Sequence, residues 1–308
     1  MKRRRKVIAI VVACVCAVAA GLWQIDLVRQ NAEILWMTVS GRSWKLRGTL
    51  QMRRFWSPAL QQSRRVDVYL PADYDSSRRR YPVLYLLHGS PGVITDWLRY
   101  GRAPQDMERL WMQKRIPETL LVIPDGNGIG YLGDSEYLDA PDGAGRPGAK
   151  MGTYIWKDLV QWVDGNYRTL PYRNDRTLCG VSTGGYGAVN LGLQHPELFG
   201  RLFSFSGYFD AEDSGWARPV WGHHPSAAAL AEQSPLDYVR RTHNPLWERT
   251  EVVMVDGEGE RPPYPQEALE FARVLAANHI PYVARTLPGR HSWDLWRAAL
   301  TFAMTGRE

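Results

Sequence analysis

The chain has 308 residues, with 38 Lys and Arg against 32 Asp and Glu, a formal net charge of +6. The KRRRK run at 2–6 carries five of those charges, so the remainder is close to neutral and a broad basic nucleic-acid-binding face is excluded as the default reading. A mean hydropathy of −0.36 with one long apolar run excludes a multi-pass membrane protein, and 44% hydrophobic with 23% charged residues excludes a disordered or collagenous chain.

KRRRK is followed at 7–23 by VIAIVVACVCAVAAGLW, with no charge until Asp26. A basic start before an apolar core predicts an export signal. The run is also near the minimum length for a spanning helix, which predicts a membrane anchor with its basic end in the cytoplasm. Ala17-Val18-Ala19 offers a small-x-small cleavage site, and Val11-Val12-Ala13-Cys14 offers a lipidation site interrupted by further apolar sequence. The expected organisation is one apolar helix at 1–25 acting as signal peptide or signal anchor, a tether at 26–47 and a folded domain at 48–308. That domain is expected outside the cytoplasm, in the cell envelope, anchored or secreted. Cys14 and Cys16 fall in the leader, so Cys179 stands alone in the domain, without an intramolecular disulfide, as an inert buried thiol. No CxxC, HExxH or clustered His/Asp spacing occurs, so neither a metal nor a cofactor is expected.

From Gly48 onward short apolar runs alternate with helical stretches. Strands are predicted at 66–70, 83–87, 120–123, 177–181, 202–205, 251–255 and 282–286. Each run ends near Gly, Pro or Asp, as buried parallel strands do. Helices are predicted at 153–167, 184–194, 266–278 and 292–304. This alternation predicts a mostly parallel, doubly wound α/β sheet with helices on both faces and functional loops at the strands' C-terminal ends. The loops at 125–152 and 207–235, rich in Gly, Pro, Asp and aromatics, are expected to shape the site.

Residues 179–188 read CGVSTGGYGA, which places Gly180-Val181-Ser182-Thr183-Gly184 after a strand and before a helix. The string G-x-S-x-G is weak alone; in a strand–turn–helix context it presents a nucleophile on a tight bend, with a helix N-terminus behind it. A serine nucleophile needs a base, and the base needs an orienting carboxylate. His291, in PGRHSWDLW after the last predicted strand, is the candidate base. His195 is read as a helix cap, His279 as preceding the last strand, His88 as structural, and the adjacent His223 and His224 as lining or surface residues of a Pro/Trp-rich loop. The carboxylate lies in Asp256-Gly257-Glu258-Gly259-Glu260, and spacing alone does not choose among the three acids. Backbone donors for an oxyanion are expected from Thr183 and from the loop His88-Gly89-Ser90-Pro91-Gly92, where Pro91 has no N–H and Ser90 is the candidate.

Three stretches, RRYPVLYLLHGSPG, the block from YIWKDL to SGYFD around the serine, and GRHSWDLW, resemble the esterase-D-like family of α/β hydrolases. That family includes formylglutathione hydrolases, feruloyl and acetyl xylan esterases, enterochelin-type esterases and mycolyltransferases. The resemblance spans about residues 48–305 and implies the α/β-hydrolase fold and ester chemistry. It aligns Gly257-Glu258-Gly259-Glu260 with the family's acid loop and so implies Glu260 as the acid, Asp256 remaining the alternative. Thr183 stands where the family usually has Met, which keeps the N–H. The expected activity is a serine carboxylesterase acting on a small-molecule, glycan or lipid acyl ester through Ser182, Glu260 and His291. Acyl transfer to a sugar or lipid hydroxyl is the enzymatic alternative, and a non-catalytic binding domain the other.

An anchored chain keeps its own N-terminus and needs detergent for extraction. N-terminal sequencing of the native protein checks this, since cleavage would yield a soluble species starting near Ala20 or Gly21.

Overall fold

The computed structural model describes residues 46–128, 135–139, 150–211 and 226–306. The leader and most of the tether, together with His223 and His224, lie outside the described residues. Among the described residues no helix is long and apolar enough to cross a membrane. The compact unit that carries the fold begins at Leu46.

Among the described residues eight strands form one sheet. They are β1 (Thr49–Ser57), β2 (Gln62–Leu70), β3 (Val83–Leu87), β4 (Leu120–Pro124), β5 (Arg176–Val181), β6 (Arg201–Phe205), β7 (Glu251–Gly257) and β8 (Tyr282–Leu287). The order is β1-β2-β4-β3-β5-β6-β7-β8. β4, β3, β5, β6, β7 and β8 run parallel. All seven expected strands are present, with two corrections. β2, read among the buried parallel strands, runs antiparallel to both of its neighbours. β8, read as buried, is an edge strand paired only with β7, and of its six residues only Leu287 is buried. β1 is an addition: its sequence TLQMRRFWS lacks an apolar run because most of the strand is exposed, and pairing with β2 along its whole length holds it in place.

Among the described residues the helices are α1 (Asp96–Arg99), α2 (Ala103–Met112), α3 (151–166, with a π turn at Tyr154–Leu159), α4 (Thr183–Gln194), α5 (Ala227–Gln233), α6 (Pro235–Arg241), α7 (Tyr264–Ala277) and α8 (Trp293–Thr305). The four expected helices fall within two residues of these bounds. Strand alternation sorts the core into two layers. In β3, Val83, Tyr85 and Leu87 pack with Ile155, Leu159, Val189 and Phe271 from α3, α4 and α7. Leu84 and Leu86 point the other way, toward Met107 and Leu110 of α2 and Leu295 and Leu300 of α8. Helices therefore cover both faces, and the sheet is doubly wound.

Parallel register brings the functional loops to one edge. Leu87 lies beside Gly180, Val181 beside Phe205, Phe205 beside Val255, and Gly257 beside Leu287. The loops after β3, β5, β6, β7 and β8 thus open side by side at the strands' C-terminal ends. Cys179 is a fully buried free thiol inside β5, where burial pushes its ionisation well up. That agrees with an inert core residue.

Leu121 in β4 is fully buried. Leu121→Ala is expected to destabilise the fold by about 2–5 kcal/mol, read as a lowered thermal midpoint, with the specific activity of the folded fraction retained.

Candidate active site

Ser182 sits between β5 and α4 with φ 54° and ψ −122°, a backbone conformation that side chains rarely adopt. Two glycines make the bend possible. A Cβ at Gly180 would lie 2.1 Å from the Gly184 carbonyl oxygen, and one at Gly184 would lie 2.5 Å from that of His88. The Ser182 N–H donates to the Phe205 carbonyl at 2.9 Å, tying the bend to the end of β6. The Ser182 carbonyl accepts from Gly185 at 2.9 Å and Tyr186 at 3.1 Å, which starts the helix.

The structure brings Glu260 and His291 together. A hydrogen bond of 2.9 Å joins His291 Nδ1 to Glu260 Oε1. Backbone geometry sets this distance: Glu258 N–H donates to Leu287 O and Gly259 N–H to Gly289 O, so the acid loop is stitched to the loop carrying the histidine. Gly257 N–H donates to the second Glu260 oxygen at 3.0 Å. Ser206, at the end of β6, accepts from Trp296 Nε1 at 2.8 Å and donates to Glu260. Burial by itself would raise the Glu260 carboxyl; the bonds from His291, Ser206 and Gly257 outweigh it and hold the group below its ordinary value. The Glu260 side chain is fully buried, whereas that of His291 is 34% exposed and faces the opening.

Asp256, the alternative acid, points elsewhere. It is buried and makes no bond to His291; burial, reinforced by the Glu260 charge, pushes it up to about 8. Glu258 is exposed. The arrangement therefore pairs His291 with Glu260.

The oxyanion candidates stand beside the serine. Among the described residues neither Ser90 N–H nor Thr183 N–H has an acceptor. The loop after β3 is braced on two sides. The ring of Trp97 donates to Leu87 O at 2.9 Å, and Asp96 accepts from Val93 N–H at 2.8 Å. His88 Nε2 accepts from Gly126 N–H at 3.1 Å, and Tyr137 donates to His88 O at 2.8 Å. His88 is structural, as read. His195 caps α4 with its N–H on Leu191 O and stacks on Trp156 at 3.9 Å, also as read.

The Ser182 hydroxyl is not hydrogen-bonded to His291. The Tyr264 hydroxyl is near enough for Ser182 to lower its ionisation, and the Tyr264 ring lies 4.7 Å from the His291 ring at 33°. Trp296 meets the imidazole edge-on at 5.0 Å and 85°. Sequence reasoning missed Tyr264, Ser206 and Trp296. Trp296 lay inside the GRHSWDLW stretch; Tyr264, just after two prolines, was left outside the predicted helix that it in fact begins.

A mostly parallel sheet wound on both faces, with a serine on a strained strand–helix bend and a carboxylate–histidine pair on neighbouring strand ends, defines an α/β hydrolase. The chain belongs to the esterase family: the model described as "Putative esterase" matches residues 57–306. An uncharacterised protein of Bacillus subtilis is 23% identical over 257 residues, 83% of this chain and 96% of that one. An esterase of Mycobacterium tuberculosis is 30% identical over 154 residues, 50% of this chain and 31% of that protein. The chain therefore matches only a minor part of that named relative. A solved ferulic acid esterase shares the fold, with a TM-score of 0.73 at 23% identity, covering 84% of this chain and 97% of its own.

Two acids in one loop predict two different outcomes. Glu260→Gln is expected to lower kcat by roughly 100-fold or more, since the orienting carboxylate sets the histidine tautomer. Asp256→Asn is expected to stay within a few-fold of wild type and to change stability instead. A buried acid raised to about 8 holds its proton in the fold while the unfolded chain loses it above its ordinary value of 3.8, so its contribution weakens as pH climbs toward 8. Thermal melting should show the variant's stability relative to wild type rising from pH 5 to pH 9.

Proposed function

We propose that this chain is a serine carboxylesterase that works through an acyl-enzyme on Ser182, on the outer side of the membrane its leader addresses. The observation that carries the reading is the 2.9 Å Glu260–His291 pair beside a serine on a strained bend, with two N–H groups unused next to it. Membership of the esterase family supports the same chemistry.

In this mechanism His291 Nε2 takes the proton of the Ser182 hydroxyl as Oγ attacks the ester carbonyl carbon. Negative charge gathers on the carbonyl oxygen, where the Ser90 and Thr183 N–H groups receive it, and the N-terminus of α4 adds its partial positive charge. Glu260 stabilises the imidazolium through Nδ1 and fixes its tautomer. The tetrahedral intermediate collapses: the bond from carbon to the alcohol oxygen breaks, His291 returns the proton to that oxygen, and the alcohol leaves. Water activated by the same imidazole then releases the acid. The substrate class is an acyl ester of a small or glycan alcohol, in keeping with the activity named for the ferulic acid esterase of like fold. KRRRK followed by an apolar run supports export or anchoring of the domain.

A fluorophosphonate probe should label the wild-type chain and not Ser182→Ala. Ser182→Ala and His291→Ala should each lose ester hydrolysis by factors of roughly a thousand or more with unchanged circular dichroism. Labelling that persists in Ser182→Ala refutes the assignment.

A further inference from the structure

Tyr264 packs against the base and has its hydroxyl on the side of the nucleophile. Its ring packs on the His291 imidazole at 4.7 Å, and its hydroxyl is near enough to Ser182 for the serine to draw the phenol's ionisation down. It reaches this position as the first residue of α7, four residues beyond Glu260, with the acid loop fixed to the histidine loop by backbone bonds. The oxyanion amides belong to the loops after β3 and β5; Tyr264 comes from the loop after β7, the same side as His291. In an acylating serine ester hydrolase that side receives the alcohol oxygen, because the imidazolium must reach it to return the proton.

We infer that Tyr264 is a substrate-contacting residue whose hydroxyl donates a hydrogen bond to the departing alcohol oxygen of the ester, an inference that rests on the serine-esterase reading above. Once Oγ becomes the acyl oxygen, the hydroxyl is directed to the neighbouring alkoxy oxygen. Tyr264 transfers no proton in the step. The carbon–oxygen bond breaks, the proton moves from His291 Nε2 to the alkoxy oxygen, and Tyr264 stabilises the charge that gathers there before the proton arrives. The surroundings suit a neutral donor. Burial first, and then the charges of Glu260, Glu136 and Glu267, hold the phenol protonated far into the alkaline range, so it serves as a donor and not as a second base. The ring has a separate duty: together with Trp296, which meets the imidazole edge-on, it packs against His291.

The two duties separate by leaving group. An alkoxide departs only with help, whereas p-nitrophenolate departs unprotonated and needs no donor. The experiment compares kcat/KM for an alkyl ester and a p-nitrophenyl ester of the same acid, in full-length wild type and Tyr264→Phe, with active sites counted by fluorophosphonate. The alkyl-to-aryl ratio is expected to fall about ten- to a hundred-fold in Tyr264→Phe, the worth of one hydrogen bond to a developing charge. A ratio unchanged from wild type, whether both activities drop together or neither moves, overturns the inference and leaves Tyr264 as packing for His291. The ratio is independent of the folded fraction, because both substrates meet the same enzyme molecules. Failure of the serine reading looks different: hydrolysis of both esters would then survive in Ser182→Ala.

Discussion

Everything at the catalytic edge hangs on the bend at Ser182. A φ of 54° for a residue with a side chain costs about 1–3 kcal/mol, and such a conformation persists only where its surroundings over-determine it. Here the strand before it is fully buried between β3 and β6, the helix after it is buried along nearly its whole length, and the two meet where no Cβ fits. The serine is held at the end of β5, largely buried, with its backbone tied to Phe205 O.

The base and the acid are fixed by a different device, a backbone suture between two loops. Glu258 and Gly259 donate into the loop that carries His291, so the carboxylate meets the imidazole through main-chain geometry and not through a chance of rotamers. Ser206 links this pair to the sheet: it follows β6, its N–H donates to Val255 O of β7, and its hydroxyl joins Trp296 to Glu260. A carboxylate buried this deeply would recover its proton without those donors. Asp256 shows the contrast. At the end of β7, with no hydrogen-bond donor among the described residues and next to the Glu260 charge, it is pushed up to about 8.

On the oxyanion side, precision comes from packing. The loop after β3 carries a candidate donor on Ser90, and it is held by Trp97 and Asp96 of α1, by the His88 ring on Gly126, and by Tyr137 on His88 O. Glu136 and Tyr137 both take left-handed φ values, 48° and 54°, so this brace is itself a strained segment fastened at the site. His88 is part of the scaffold because both of its ring nitrogens are engaged with backbone groups, one at Gly126 and one at Gly89.

Much of this was legible in the sequence. The buried strands announce themselves because a strand covered on both faces must be apolar throughout, and Ser182 and His291 follow from where such strands end. β1 was illegible for the same reason: an exposed antiparallel strand obeys its partner, here β2, and not its own hydrophobicity. β8 was legible as a strand but not as an edge, since neighbours in a sheet are chosen by the whole chain. The sequence by itself determined the fold class, the nucleophile, the base and the short list of acids, because these depend on residue type at strand ends. Only the tertiary structure decided that Glu260 and not Asp256 meets His291, and that Tyr264 lies across both serine and histidine. Those outcomes depend on which loop is sewn to which and on the direction a side chain takes from a buried backbone, and contacts between residues far apart in the chain set both.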